Sequence, residues 1–280
     1  MTGRTAVITL AHGRHEHLRG QGWGLRQQTC PPDLYVIVGM DDPAVTAVAR
    51  EQHPMAIGVD VSTSGGELPL AAARNAGAEA ALRGGAQTLV FLDVDCIPDQ
   101  STVARYAEVL TAVDHRRPVV ACGEVRYLPP VAHPADYRSP GLADRAEPHP
   151  ARPAPAADTI LVADDLRLFW SLSFAMTAAG WKTLGGFSEE YVGYGAEDTD
   201  FGQRLAAAGG AMLWVGGAAA YHQHHPNASP PLDHLHSIVR NANVFRDRWG
   251  WFPMEGWLAE FAERGLAEHD SSTGRWRVTA

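Results

Sequence analysis

The sequence predicts an α/β domain built on a mostly parallel, mixed sheet with helices on both faces. Three observations carry that prediction. Short apolar runs rich in Val, Ile and Leu alternate with helical stretches through the first half of the chain. Acidic or polar residues stand directly after several of those runs, where such sheets bind ligands. The 45% hydrophobic content over 280 residues suffices for one large domain with a sizeable core.

Taken in order, 6–10, 34–38, 57–61, 88–92 and 119–125 read as strands, and 15–28, 44–51, 70–83 and 102–114 as helices. The stretch 128–157 breaks the pattern. Pro129, Pro130, Pro134, Pro140, Pro148, Pro150, Pro153 and Pro155 fix φ and lack the amide donor, so an irregular insertion is expected, either a surface excursion or an acceptor-side lid. Order resumes with a strand at 168–176. A helix at 197–208 follows, burying Phe201, Leu205 and Ala208 and ending at Gly209. A strand at 211–215 is followed by closing helices at 232–249 and 254–266, with Trp249, Trp251 and Trp257 as packing anchors. The expected division is a main domain over 1–225 and a helical extension over 226–280 packed on it.

A net charge of -9 argues against nucleic acid or an anionic membrane as the main partner. An anionic nucleotide would need a metal or a few arginines, and Lys182 is the only lysine. Cys30, Cys96 and Cys122 lack metal-type spacing and are expected as reduced, buried thiols. The first ten residues do not have the pattern of a secretory signal, and no run approaches the roughly 20 apolar residues of a membrane helix. A soluble, cytoplasmic chain is expected.

Five groups of residues carry chemistry. Glycines flank the aromatic turn of 180–196, which leads into Glu197, Asp198 and Asp200 at a helix start. Acids there satisfy free amides and the helix dipole, and a capped carboxylate is also an oriented one, suited to act as a base. Asp93 and Asp95 end an apolar run, where a carboxylate can hold a divalent cation against a diphosphate. His222, His224 and His225 follow a strand and can ligate a metal. Arg74 interrupts an alanine-lined helix and can face a diphosphate or pair on the surface with an acid. Asp41 and Asp42 either contact a base or mark a helix start before Pro43.

Seven pieces stand in one order: 7–10, 38–42, 73–77, 91–95, 185–189, 195–200 and 220–223. Together they resemble the inverting glycosyltransferases of family 2 and their galactosyltransferase-like relatives, which share the GT-A fold. The resemblance covers about residues 5–225. It implies transfer of a hexosyl or N-acetylhexosaminyl group from a nucleoside-diphosphate sugar, a UDP-sugar above all, to an acceptor hydroxyl. It assigns Asp198 as general base and Glu197 to the acceptor. Nucleotide contacts fall to Thr9, Leu10, His12, Arg14, Asp41, Asp42, Arg74, Asp93 and Val94. Asp95, His222 and His224 would hold Mn2+ or Mg2+, and Trp181, Gly185, Gly186 and Tyr194 would line the sugar sites. The extra histidines and the 128–157 insertion depart from the family pattern. A nucleotidyltransferase is the enzymatic alternative, although Ala11–Arg14 is a poor phosphate loop. A catalytically silent nucleotide-sugar or glycan binder is the non-enzymatic one.

Overall fold

A computed structural model describes residues 3–63, 65–114, 116–226 and 229–279. The first half runs β1 (Thr5–Ala11), α1 (His15–Arg26), β2 (Leu34–Met40), α2 (Ala44–Arg50), β3 (Ile57–Val61), α3 (Leu70–Arg83), β4 (Thr88–Leu92), β5 (Cys96–Pro98), α4 (Thr102–Ala112) and β6 (Val119–Tyr127). The second continues with α5 (Leu142–Arg145), β7 (Glu147–Pro148), β8 (Ile160–Val162), β9 (Ser173–Thr177), α6 (Ala178–Leu184), α7 (Glu197–Ala207), β10 (Ala211–His222), α8 (Leu235–Trp249), α9 (Glu255–Glu263), β11 (Ala267–Asp270) and β12 (Arg275–Val278).

Ten of the twelve described strands form one sheet in the order β3-β2-β1-β4-β9-β6-β10-β5, with β7 on β6 and β8 on β10. β1, β2, β3 and β4 pair in parallel, as do β6 and β10, whereas β9 lies antiparallel between β4 and β6. Every residue of β1 and β4 is buried, the expected result for central strands covered on both faces. One face packs Ile8, Phe91, Phe174, Trp181 and Phe201 beneath α3, α6 and α7. The other packs Val7, Leu25, Tyr106 and Val109 beneath α1, α2 and α4.

Small residues on α3 let it sit low on the sheet. Ala71, Ala73, Ala78 and Ala81 are buried, and a Cβ on Gly77 would meet Ile8 Cγ2 at 2.6 Å. The helix therefore lies close on β1 and β2, and Arg74 is carried over the strand ends.

The expected fold stands, with local corrections. The chain at 168–176 is extended only as β9, because a short 3-10 turn at Leu166–Leu168 and a bend precede it. β10 runs seven residues beyond the expected 211–215, because its distal half pairs with β5 and the end of β6. Ala208 is exposed, so Phe201 and Leu205 alone carry that stripe. Cys30 is exposed, unlike Cys96 and Cys122. The 128–157 insertion is ordered mostly by packing, with the short β7 on β6 as its ladder: Leu128, Tyr137, Leu142 and Ala146 are buried against Ile97 and Tyr221. The C-terminal extension is not wholly helical, since the β11–β12 hairpin follows α9 and packs against α8. Trp249, Trp251 and Trp257 are half-buried there. Among the described residues, no helix is long and apolar enough to cross a membrane.

Candidate active site

Two clusters of charge meet at the carboxyl ends of β1, β2 and β4. The first is built by strand pairing. β5 returns antiparallel against the end of β10, with Cys96 opposite His222, and the Gln223 amide donates to the Asp95 carbonyl at 2.8 Å. This register sets His222 Nε2 3.4 Å from Asp95 Oδ1, and His225 Nε2 3.4 Å from Asp95 Oδ2. One ligand atom from each of these residues lies within 4.8 Å of the others. His224 is exposed, and its amide donates to the Tyr137 hydroxyl at 3.3 Å. The structure thus brings His225, and not His224, to Asp95. Strand alternation would have paired His224 with His222, but β10 ends at His222 and the chain turns.

A carboxylate with two imidazoles is an oxygen and nitrogen set that suits Mn2+. The carboxylate is held ionised, as a metal ligand must be, although Arg14 Nη1 donates to Asp95 Oδ2 at 2.9 Å and would share or yield that oxygen to a metal. Burial raises the Asp95 carboxyl, but the His225 imidazole, His222 and Arg14 outweigh it and hold the acid at about 2. Burial lowers the pKa of His222, which leaves its ring neutral and able to coordinate.

The second cluster is organised by Arg74, which is only 5% exposed and so is not the surface arginine that the sequence left open. Its Nη1 lies 3.3 Å from Glu197 Oε1 and 3.9 Å from Asp198 Oδ1, and its Nη2 lies 3.8 Å from Asp93 Oδ1. One cation therefore ties α3 to the end of β4 and the start of α7. Three acids exceed one guanidinium. Burial and mutual repulsion raise Asp93 and Glu197 toward neutrality, each to about 7, against the pull of Arg74. Asp198 Oδ2 accepts the Ser171 amide at 2.9 Å, while its buried Oδ1 has no hydrogen-bond partner among the described residues.

Backbone strain gathers at these edges. Arg14 (φ 50), Asp41 (φ 47) and Ala196 (φ 75) are left-handed non-glycine residues, each costing of order 1 kcal/mol or more. Ala196 follows Gly195 (φ 97) and launches α7. The C-terminal extension braces this turn. Asn241 Nδ2 donates to the Val192, Tyr194 and Gly195 carbonyls at 3.0, 3.3 and 3.0 Å, and the Tyr194 amide donates to Ser237 Oγ at 3.2 Å.

The remaining sequence-predicted residues divide. His12 Nδ1 sits 2.6 Å from the Met40 carbonyl. Asp42 accepts from the Gly13 and Ala44 amides at 2.8 and 3.1 Å and contacts His15 Nε2 at 2.8 Å. It thus joins the first loop to the start of α2. Asp41 accepts from the Thr63 amide at 2.9 Å. Both acids lie at the site end of the sheet. Thr9 is fully buried and donates to Gln21 Oε1 at 2.8 Å, and Leu10 and Val94 are core residues. Trp181 is also a core residue, stacked on Phe91 at 4.9 Å, and Gly185 and Gly186 end α6 in left-handed conformations. The aromatic turn therefore contributes Tyr194 to the surface and packs Trp181 inside. Tyr194 is 39% exposed and stacks on His234 at 4.7 Å. Desolvation of its hydroxyl and the charges of Glu197, Asp198 and Asp93 push it up to about 12.

Sequence reasoning missed Ser171 and Gln21. Gln21 Nε2 donates to the Asp93 carbonyl at 2.7 Å and steadies the acidic loop from α1. A polar side chain on the buried Leu18–Gln21–Leu25 stripe was a usable signal for it. Ser171 acts through its backbone, which leaves no mark in residue type.

A family model described as the N-terminal domain of galactosyltransferase matches residues 156–226, the segment that carries Ser171, Asp198 and His222. The crystal structure of GalNAc-T7 with UDP, GalNAc and Mn2+ aligns with a TM-score of 0.60 at 13% identity, over 94% of this chain and 57% of that one. S. aureus TarS 1-349 aligns with a TM-score of 0.55 at 14% identity, over 87% of this chain and 66% of that one. The chain thus spans less than two thirds of the length of each structure. A comparison with curated proteins finds no match. The fold is that of the GT-A glycosyltransferases.

Proposed function

We propose that the protein is a metal-dependent, inverting glycosyltransferase that moves a hexosyl or N-acetylhexosaminyl group from a UDP-sugar to an acceptor hydroxyl. The observation that carries this reading is Asp198. One oxygen is pinned by the Ser171 amide, and the other is buried 3.9 Å from Arg74 Nη1 with no hydrogen-bond partner among the described residues. A desolvated lone pair in a fixed direction is what a base needs to take a hydroxyl proton. Across from it stand Asp93, Arg74 and the Asp95–His222–His225 set.

In this reading Asp198 Oδ1 accepts the acceptor's proton as that oxygen bonds to the anomeric carbon on the face opposite the departing diphosphate, so configuration inverts. Arg74 orients Asp198, Glu197 and Asp93 around the reacting sugar, and Glu197 takes an acceptor or sugar hydroxyl. Asp41 or Asp42 contacts the base, and His12 and Arg14 flank the nucleotide. Asp95, His222 and His225 would hold Mn2+, which when bound supplies charge neutralisation for the diphosphate. The GT-A fold and the UDP and Mn2+ of the GalNAc-T7 structure support this choice of donor and metal.

The test is calorimetric titration with UDP, with and without Mn2+, followed by UDP-sugar hydrolysis assays. Mn2+-dependent UDP binding with slow release of free sugar is expected. Absence of UDP binding under both conditions would sink the reading.

A further inference from the structure

One charged group near the site has no task in the transfer chemistry. Arg152, in the proline-rich insertion, has its guanidinium between two indoles, 5.3 Å from the Trp170 ring centroid and 4.8 Å from that of Trp214. Nη1 and Nη2 are both shielded from water, and neither has a hydrogen-bond partner among the described residues. No described carboxylate forms an ion pair with it. Stacking uses the faces of the guanidinium plane. Its N–H donors point along the edge, and that edge is unclaimed. A guanidinium whose buried edge nitrogens have no hydrogen-bond partner among the described residues suits a bidentate oxyanion.

Its location says which substrate would bring that anion. A chain of rings runs from the metal set to Arg152: His222 stacks on Tyr127 at 4.9 Å, Tyr127 meets His149 at 5.6 Å, and His149 meets Trp170 at 4.9 Å. Trp170 immediately precedes Ser171, whose amide holds the proposed base. The Arg152 part of the insertion therefore lies beside the residue pair that holds the proposed base, while its earlier part reaches α1, where Arg138 pairs with Glu16. The strap is fixed at its two ends, by β7 on β6 and by the Gly216 amide on the Thr159 carbonyl at 2.9 Å. Between them Ala151, Pro153 and Ala154 are exposed, so only this thin stretch of chain stands between Arg152 and solvent on that side.

We propose that Arg152 is the anion receptor of the acceptor subsite, so that the acceptor of this enzyme is an acidic sugar carrying a carboxylate or a phosphate. The proposal rests on the transferase reading and names the acceptor class of that same site.

The test uses the full chain loaded with UDP and Mn2+, titrated calorimetrically with methyl β-glucoside, methyl β-glucuronide and glucose 6-phosphate. At least one charged probe should bind at least about tenfold more tightly than the neutral one, as charge-assisted hydrogen bonds imply. Whichever charged probe is favoured identifies carboxylate or phosphate. Arg152→Gln should bring the probes within about twofold of one another and leave UDP affinity unchanged. Arg152→Lys, which keeps the charge without the planar edge, should retain part of the preference and guards against a variant that fails to fold. Equal binding of all three probes by the wild type overturns the proposal. So does a preference that survives Arg152→Gln, or a loss of UDP affinity in that variant, which would put the cation on the diphosphate. If the wild type does not bind UDP with Mn2+ at all, it is the transferase reading that fails.

Discussion

Asp198 and Asp200 stand two residues apart in the first turn of α7 and meet opposite surroundings. Asp200 is fully buried and saturated: it accepts from Tyr191 Oη at 3.2 Å, Arg204 Nε at 2.9 Å, Arg248 Nη1 at 2.7 Å and Trp249 Nε1 at 2.9 Å. Asp198 keeps one oxygen without a hydrogen bond among the described residues, 3.9 Å from an arginine already shared with Glu197 and Asp93. The knot around Asp200 ties α7 to α8 and to the turn before it, and that rigidity holds the Asp198 carboxylate still. One acid anchors α7, and the other is the base of the proposed reaction. Residue type and spacing are the same, and only the partners differ.

The comparison breaks most readily at Asp198. Asp198→Asn is expected to lower kcat by about a hundred- to ten-thousandfold while UDP affinity and the thermal midpoint hold. Single-turnover transfer at the wild-type rate would remove the base assignment. Asp200→Ala should act on stability, costing about 3–5 kcal/mol because Arg204 and Arg248 lose a buried counter-charge. Urea denaturation reads this directly, and a variant as stable as wild type would deny the anchoring role.

The metal set offers a smaller, sharper contrast. Asp95→Ala and His225→Ala should each weaken Mn2+-dependent UDP binding by about ten- to a hundredfold or more, and His224→Ala should leave it unchanged. An affinity loss at His224 equal to that at His225 would restore the ligand set expected from sequence.

The smallest effect is the pH slope of stability. Glu197 titrates near 4.5 when unfolded and at about 7 in the fold. Between those values the folded state holds a proton that the unfolded chain has released, so stability falls as pH rises through that window. Glu197→Gln removes this contribution. Urea midpoints at pH 5 and pH 8 should therefore fall less in the variant than in the wild type, and equal falls would contradict the raised carboxyl.

The alternation of β1 to β4 with α1 to α3 was legible because a strand or helix is written in the period of its own residues. Asp93, Asp95 and Glu197 to Asp200 were legible because strand ends and helix starts are the places where such folds expose carboxylates. His225 was named in its cluster but left out of the metal set, because the end of β10 depends on its pairing with β5. The insertion's order was hidden, because Tyr137 and Leu142 are buried by Ile97 and Tyr221, far away in the chain. Trp181 carried the signal of a sugar platform and proved to fill the core.

By itself, then, the chain determined its fold class, the order of its central elements and the loops at which acids and imidazoles stand. These follow from short-range periodicity, turn chemistry and burial. The tertiary structure alone decided that Arg74 is buried among three acids, that His225 and not His224 reaches Asp95, and that Asp198 keeps one oxygen without a hydrogen bond among the described residues where Asp200 is saturated. Each of those outcomes depends on which distant segments pack together, and that packing sets the solvation and the partners from which a carboxylate, an imidazole or a guanidinium takes its role.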